Sequence, residues 1–132
     1  MSMTFHGYKR PDGLAGIRNH VLILPTVGCA AETCRIISGL VDGAVSFANQ
    51  NGCGEVEGNR RLTQKVLSGL AANPNIYGTI LVGLGCESNS VDALAEIIES
   101  RTRKPLRKHI IQKEGGTVNT IRNAVEDAQQ MV

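Results

Sequence analysis

From His20 onward, apolar runs of strand length alternate with amphipathic stretches of helix length, and the junctions are rich in Gly, Asn and Pro. The first run, Val21-Leu22-Ile23-Leu24, is apolar throughout, the pattern of a parallel strand covered by helices on both faces. It ends at Pro25-Thr26-Val27-Gly28-Cys29. Ala30, Cys34, Ile37 and Val41 then recur at helical spacing, with Gly43 just past the end. A second strand is predicted over 44–48, leading into Asn49-Gln50-Asn51-Gly52-Cys53-Gly54. Beyond it Leu62, Val66 and Leu70 mark a helical face that stops near Asn73-Pro74. Thr79-Ile80-Leu81-Val82 is the clearest strand. It runs into Gly83-Leu84-Gly85-Cys86-Glu87, after which Val91, Leu94 and Ile98 repeat at intervals of a helical turn. A shorter strand over 109–112 follows Pro105, and Val118, Ile121, Val125 and Ala128 form the last apolar face.

Four such βα units predict an α/β fold: a three-layer arrangement around a mostly parallel four-stranded sheet, doubly wound in the Rossmann-like or flavodoxin-like manner. The expected organisation is a single domain over 20–132, preceded by an N-terminal arm over 1–19. The arm has no strand or helix period but is dense in Gly and Arg, and is expected to lie ordered over one end of the sheet.

Composition narrows the function classes. The chain has 132 residues, enough for one domain with its own core. Its 14 basic and 12 acidic residues are interspersed, which argues against nucleic acid as the partner. With no Trp, two Phe and two Tyr, it has neither a base-stacking platform nor an aromatic shelf for sugars, so a sugar-like ligand must be held by polar groups. No apolar run approaches the roughly 20 residues of a membrane span, and no signal-peptide pattern opens the chain. A cytoplasmic location with free thiols is the expectation.

The candidate chemistry lies at the strand ends, because open α/β sheets bind ligands beyond the carboxyl ends of their strands. Cys29, Cys53 and Cys86 each follow a different predicted strand, and each is preceded by Gly. If those strands are neighbours, the three thiols share one crevice. Three thiolates with a position left open suit iron, as a single ion or a cluster. The plain alternative is that small residues fill tight turns. Cys34, mid-helix on the apolar face, reads as core. Glu87 is a candidate base or metal ligand, or a carboxylate favoured at a helix N-terminus. Asn49, Gln50 and Asn51 would line the same crevice, and the turns at Gly52-Cys53-Gly54 and Gly83-Leu84-Gly85 offer backbone amides to a carboxylate. Nucleotide binding has no support, since the glycines fit no dinucleotide pattern and no Gly-Lys-Ser/Thr triplet occurs. His20 and His109 read as structural or solvated, and His6 belongs to the arm.

Several blocks occur together in order. They are Gly7-Tyr8-Lys9-Arg10-Pro11-Asp12-Gly13-Leu14-Ala15-Gly16-Ile17-Arg18-Asn19, Leu24-Pro25-Thr26-Val27-Gly28-Cys29, Asn51-Gly52-Cys53-Gly54, Asn73-Pro74-Asn75, Leu81-Val82-Gly83-Leu84-Gly85-Cys86-Glu87 and Ile111-Gln112-Lys113-Glu114-Gly115-Gly116-Thr117. Over nearly its whole length the chain therefore resembles the altronate/galactarate dehydratase family, which includes sulfolactate sulfo-lyases. The resemblance implies the first domain of a longer large subunit, accompanied by a small domain or subunit and capable of forming a homo-oligomer. It implies a hydro-lyase that dehydrates a sugar acid of altronate or galactarate type to a 2-keto-3-deoxy acid with iron or another divalent metal. The alternatives are release of sulfite from sulfolactate and a non-catalytic binding or assembly domain. At the strand ends Cys29, Cys53 and Cys86 are the candidate metal ligands, Glu87 and Asn49 the catalytic candidates, and Gly52 and Gly54 candidate substrate contacts. The resemblance implies that Arg10, Arg18 and Asn19 contact substrate, the alternative being that they brace the arm against the sheet. Relatives generally carry His at the position of Asn49, so this chain lacks that titratable group.

Overall fold

A computed structural model describes residues 4–11, 13–26, 30–47, 57–85 and 91–131. The elements in chain order are β1 (Tyr8–Lys9), β2 (Ala15–Gly16), β3 (His20–Pro25), α1 (Ala31–Leu40), β4 (Ala44–Ser46), α2 (Glu57–Ala71), β5 (Ile76–Gly83), α3 (Val91–Arg101), β6 (Leu106–Ile110) and α4 (Thr117–Met131). β3 to β6 form one sheet in the order β4-β3-β5-β6, and every neighbouring pair is parallel. The fold is α/β and three-layered, as the alternation of patterns predicted.

The uninterrupted apolar strands follow from the two-residue period of a strand, which sends successive side chains to opposite faces. Val21, Ile23, Ile80 and Val82 point to one face and pack with Cys34 and Ile37 of α1 and with Ala124 and Ala128 of α4. Leu22, Leu24 and Leu81 point to the other and pack with Leu67 and Ala71 of α2 and with Leu94, Ala95 and Ile98 of α3. Each fully buried large aliphatic side chain contributes about 1.5–3 kcal/mol over its exposed state. Polar ties hold the helices in place at their ends. Arg101 Nη1 donates to Ser68 Oγ at 2.9 Å, and the buried Lys104 ammonium donates to Asn73 O at 2.7 Å, just past the negative end of α2.

Three expectations are corrected. On α2 the buried side chains are Leu67, Ser68 and Ala71, whereas Leu62 and Val66 are 62% and 49% exposed. Val118, in the first turn of α4, is 80% exposed, so that helix is buried through Thr120, Ala124 and Ala128. The last strand is Leu106–Ile110 rather than 109–112, because β5 begins at Ile76 and its register with β6 starts at Thr79 opposite Leu106.

The arm is more regular than its sequence suggested. β1 and β2 pair antiparallel, Tyr8 opposite Gly16 and Lys9 opposite Ala15, around a turn in which Gly13 takes a φ of +86°. This hairpin is docked at the amino ends of β3 and β5. Gly16 lies against the 74–75 backbone so closely that a Cβ there would be 2.1 Å from Pro74 O. The Asn75 side-chain oxygen accepts from the amides of Ile17 (2.9 Å) and Arg18 (3.2 Å), while Asn75 O accepts from His20 N at 3.0 Å.

Candidate functional site

Strand order decides which loops meet. In this sheet β3 is flanked by β4 on one side and β5 on the other, so the chain leaves β3 in one direction and later returns to its opposite side. That is the beginning of a flavodoxin-like order, and the topological switch lies between β3 and β5. Because the sheet is parallel, the carboxyl ends of β4, β3 and β5 lie along one edge. Thr26, fully buried, continues β3 there by donating its amide to Val82 O at 3.0 Å, and β5 continues into Leu84 and Gly85.

Cys29, Cys53, Cys86, Glu87, Asn49, Gly52 and Gly54 lie outside the described residues. The strands that precede Cys29, Cys53 and Cys86 in the sequence, β3, β4 and β5, are consecutive neighbours in the sheet. A set of three thiolates approached from adjacent parallel strands fits iron by donor chemistry. Among the described residues no group of three or more His, Cys, Asp or Glu side chains is arranged to hold a metal ion. Cys34 is fully buried between α1 and the sheet, and burial pushes its thiol far above the ordinary cysteine range, so it stays a neutral apolar filler.

Arg10, Arg18 and Asn19 come together, but at the amino ends of the strands. Buried Arg10 donates through Nε to Pro74 O (2.6 Å), through Nη1 to Asn19 Oδ1 (2.8 Å) and through Nη2 to Arg18 O (2.8 Å), with its guanidinium 5.6 Å from the Tyr8 ring centroid. These bonds fasten the arm to the sheet. Among the described residues, the exposed Arg18 guanidinium donates to the carbonyl of its neighbour Ile17, at 3.2 Å. β3 alone separates this cluster from the carboxyl edge by about 20 Å, at roughly 3.3 Å per residue. The structure does not bring the arm arginines to the strand ends that carry the cysteines.

One cluster had no signal in the sequence, because its members come from a strand, a turn and a helix. His109, in β6, is only 7% exposed. Its Nδ1 faces Glu114 Oε1 at 2.8 Å and its Nε2 faces Asp127 Oδ2 at 2.7 Å. The ring thus lies between two carboxylates, each within hydrogen-bond distance of one of its nitrogens. Glu114 also accepts from Ile110 N (2.8 Å) and Asn123 Nδ2 (2.9 Å), which ties the 111–116 turn to β6 and α4. The structural reading of His109 is met; its partners come from the turn and from a helix distant in sequence. His20 is half-buried at the start of β3, and His6 is exposed in the arm.

Comparisons with known proteins add independent findings. Residues 7–132 match the family model described as D-galactarate dehydratase/Altronate hydrolase, second domain. Altronate dehydratase of Escherichia coli (strain K12) is 33% identical over 101 residues, covering 69% of this chain and 20% of that protein. Altronate dehydratase of Bacillus subtilis (strain 168) is 29% identical over 114 residues, 79% of this chain and 23% of the relative. The (2R)-sulfolactate sulfo-lyase subunit beta of Chromohalobacter salexigens is 30% identical over 131 residues, 98% of this chain and 32% of the relative. The chain thus spans between about a fifth and a third of the length of these curated relatives. No solved structure gives a significant match.

Proposed function

Because the chain belongs to the D-galactarate dehydratase/altronate hydrolase family, we propose that it is the sheet-bearing domain of a lyase that removes water from a sugar acid of altronate or galactarate type. The product is a 2-keto-3-deoxy acid. The observation that carries this reading, beyond family membership, is that the strands preceding Cys29, Cys53 and Cys86 are three consecutive neighbours in one parallel sheet.

In this reading Cys29, Cys53 and Cys86 hold iron or another divalent metal. When bound, that metal supplies Lewis acidity toward a substrate hydroxyl. Glu87 takes the proton from the carbon beside the carboxylate, the C–O bond on the next carbon breaks as the C=C bond forms, and the departing hydroxide takes up that proton and leaves as water. The resulting enol then tautomerises to the keto acid. The amides of the Gly52-Cys53-Gly54 turn, with Asn49, hold the carboxylate. The described Arg10, Arg18 and Asn19 serve by rooting the arm, and the rest of the enzyme's polypeptide completes the site.

A second reading, release of sulfite from sulfolactate, is favoured by the sulfo-lyase subunit beta, whose similarity extends over 98% of this chain. The same elimination with sulfite as the leaving group gives a three-carbon keto acid. The full-length protein, reconstituted anaerobically with ferrous iron, is assayed with D-altronate, D-galactarate and sulfolactate for keto acid and for sulfite. Keto acid without sulfite from a sugar acid is expected, together with bound iron by metal analysis. Cys53→Ser is expected to lower turnover at least a hundredfold and to lose iron. A folded, active protein that carries no metal and tolerates Cys53→Ser would remove the thiolate assignment.

A further inference from the structure

The pairing of β5 with β6, which ends with Gly83 opposite Ile110, is prolonged beyond both strands. Ile111 N donates to Gly83 O at 2.8 Å and Gln112 N to Leu84 O at 3.2 Å. This extension brings Gln112 over Gly85, at the carboxyl edge and on the β5 side of the topological switch. Gly85 has a φ of +126°, and a Cβ on it would stand 2.6 Å from Gln112 Oε1. The glycine thus provides both the backbone conformation and the space for the glutamine side chain to lie across the chain leaving β5.

Gln112 is exposed, its side chain carries two donors and an acceptor, and among the described residues that side chain makes no hydrogen bond. The turn that presents it is tightly fixed. Lys113 N and Glu114 N both donate to Ile110 O at 3.1 Å, Gly116 N donates to Ile111 O at 3.0 Å, and the Glu114 carboxylate is held by Ile110 N, Asn123 and His109. A polar group carried on a backbone this well determined gives up little freedom when it meets a ligand.

We propose that Gln112 is a substrate contact of the lyase, its side-chain NH2 donating to the carboxylate of the sugar acid at the carboxyl edge of the sheet. Glu114 is a positioning residue that acts through it. The inference rests on the functional reading above and adds a binding residue to it.

In the full-length enzyme, Gln112→Ala is expected to raise KM for the sugar acid about tenfold, the loss of one hydrogen bond to a charged group, with kcat within about threefold. Gln112→Glu, which sets a like charge against the carboxylate, is expected to raise KM further. Glu114→Gln is expected to give a smaller rise in KM that disappears in the Gln112→Ala background, an outcome that general destabilisation would not produce. Folded Gln112→Ala and Gln112→Glu enzymes with KM within twofold of the parent would overturn the contact while leaving the lyase reading standing. A protein that turns over none of the acids is instead titrated with D-altronate and D-galactarate while the Gln112 side-chain NH2 resonances are followed. Perturbation of those resonances on binding upholds the contact and overturns only the lyase reading. Unperturbed resonances overturn the contact.

Discussion

At Gly16 the volume a side chain would fill already belongs to another part of the chain. A Cβ would lie 2.1 Å from Pro74 O, 2.5 Å from Pro74 C and 2.9 Å from Asn75 N, all backbone atoms that cannot rotate away. Gly16→Ala must therefore lift the hairpin off the sheet. The expected cost is about 1–3 kcal/mol, with faster amide hydrogen exchange at Ile17 and Arg18 while the sheet interior keeps its protection. Unchanged exchange in the hairpin would show that it is not rooted there. Cys34 is the opposite case, a residue whose role was legible. Its helical spacing with Ala30, Ile37 and Val41 placed it in the core, and it is fully buried with its thiol kept protonated. Native protein treated with iodoacetamide at neutral pH is expected to remain unmodified at Cys34 by peptide mass mapping, and to react there once denatured. The root of Gly16 could not be read in the same way, because the contact joins residues far apart in sequence and involves no side chain of the glycine.

Among the elements, legibility followed how strongly one face is marked. β3 and β5 carry unbroken apolar runs and were located from them. β1 and β2 are two residues each and have no period to detect. α2 offered two adjacent apolar rows, Leu62-Val66-Leu70 and Leu67-Ala71, and helical spacing alone does not choose between them. The sheet and α3 select the second, leaving Leu62 and Val66 exposed. In β6, Arg107 and Lys108 are exposed, so this outer strand lacks the apolar run that marks an inner one. What joins β6 to α4 is the His109 cluster. Replacing the ring with Phe would remove the hydrogen-bonding group that lies between Glu114 and Asp127. His109→Phe is expected to lower stability by roughly 1–3 kcal/mol in urea denaturation, since a largely buried hydrogen-bonding partner of two carboxylates is lost. An unaltered midpoint would mean that the two carboxylates find compensation elsewhere.

On the scale of the molecule, the two faces of the sheet are separate cores. Ile37 belongs to the cluster under α1 and α4, and Ile98 to the cluster under α2 and α3. Ile37→Val and Ile98→Val are each expected to cost about 1 kcal/mol, and the double variant the sum to within about 0.5 kcal/mol, read from urea midpoints at constant m. A large departure from additivity would mean that the faces communicate through the strands. The candidate site was legible as a position, the carboxyl edge, because that follows from strand direction and order. The separation of the arm arginines from that edge was not, because the sequence gives no sign of which end of the sheet the arm covers.

The borders of the sheet have a consequence of their own. β4 ends the sheet on one side with three residues, its first amide already donating to Val41 O at 3.2 Å. On the other side β6 displays Arg107 and Lys108. One margin is thus brief and the other carries charged side chains, Lys108 paired with Asp92 at 3.0 Å, and both features disfavour the addition of a further strand from a neighbouring molecule.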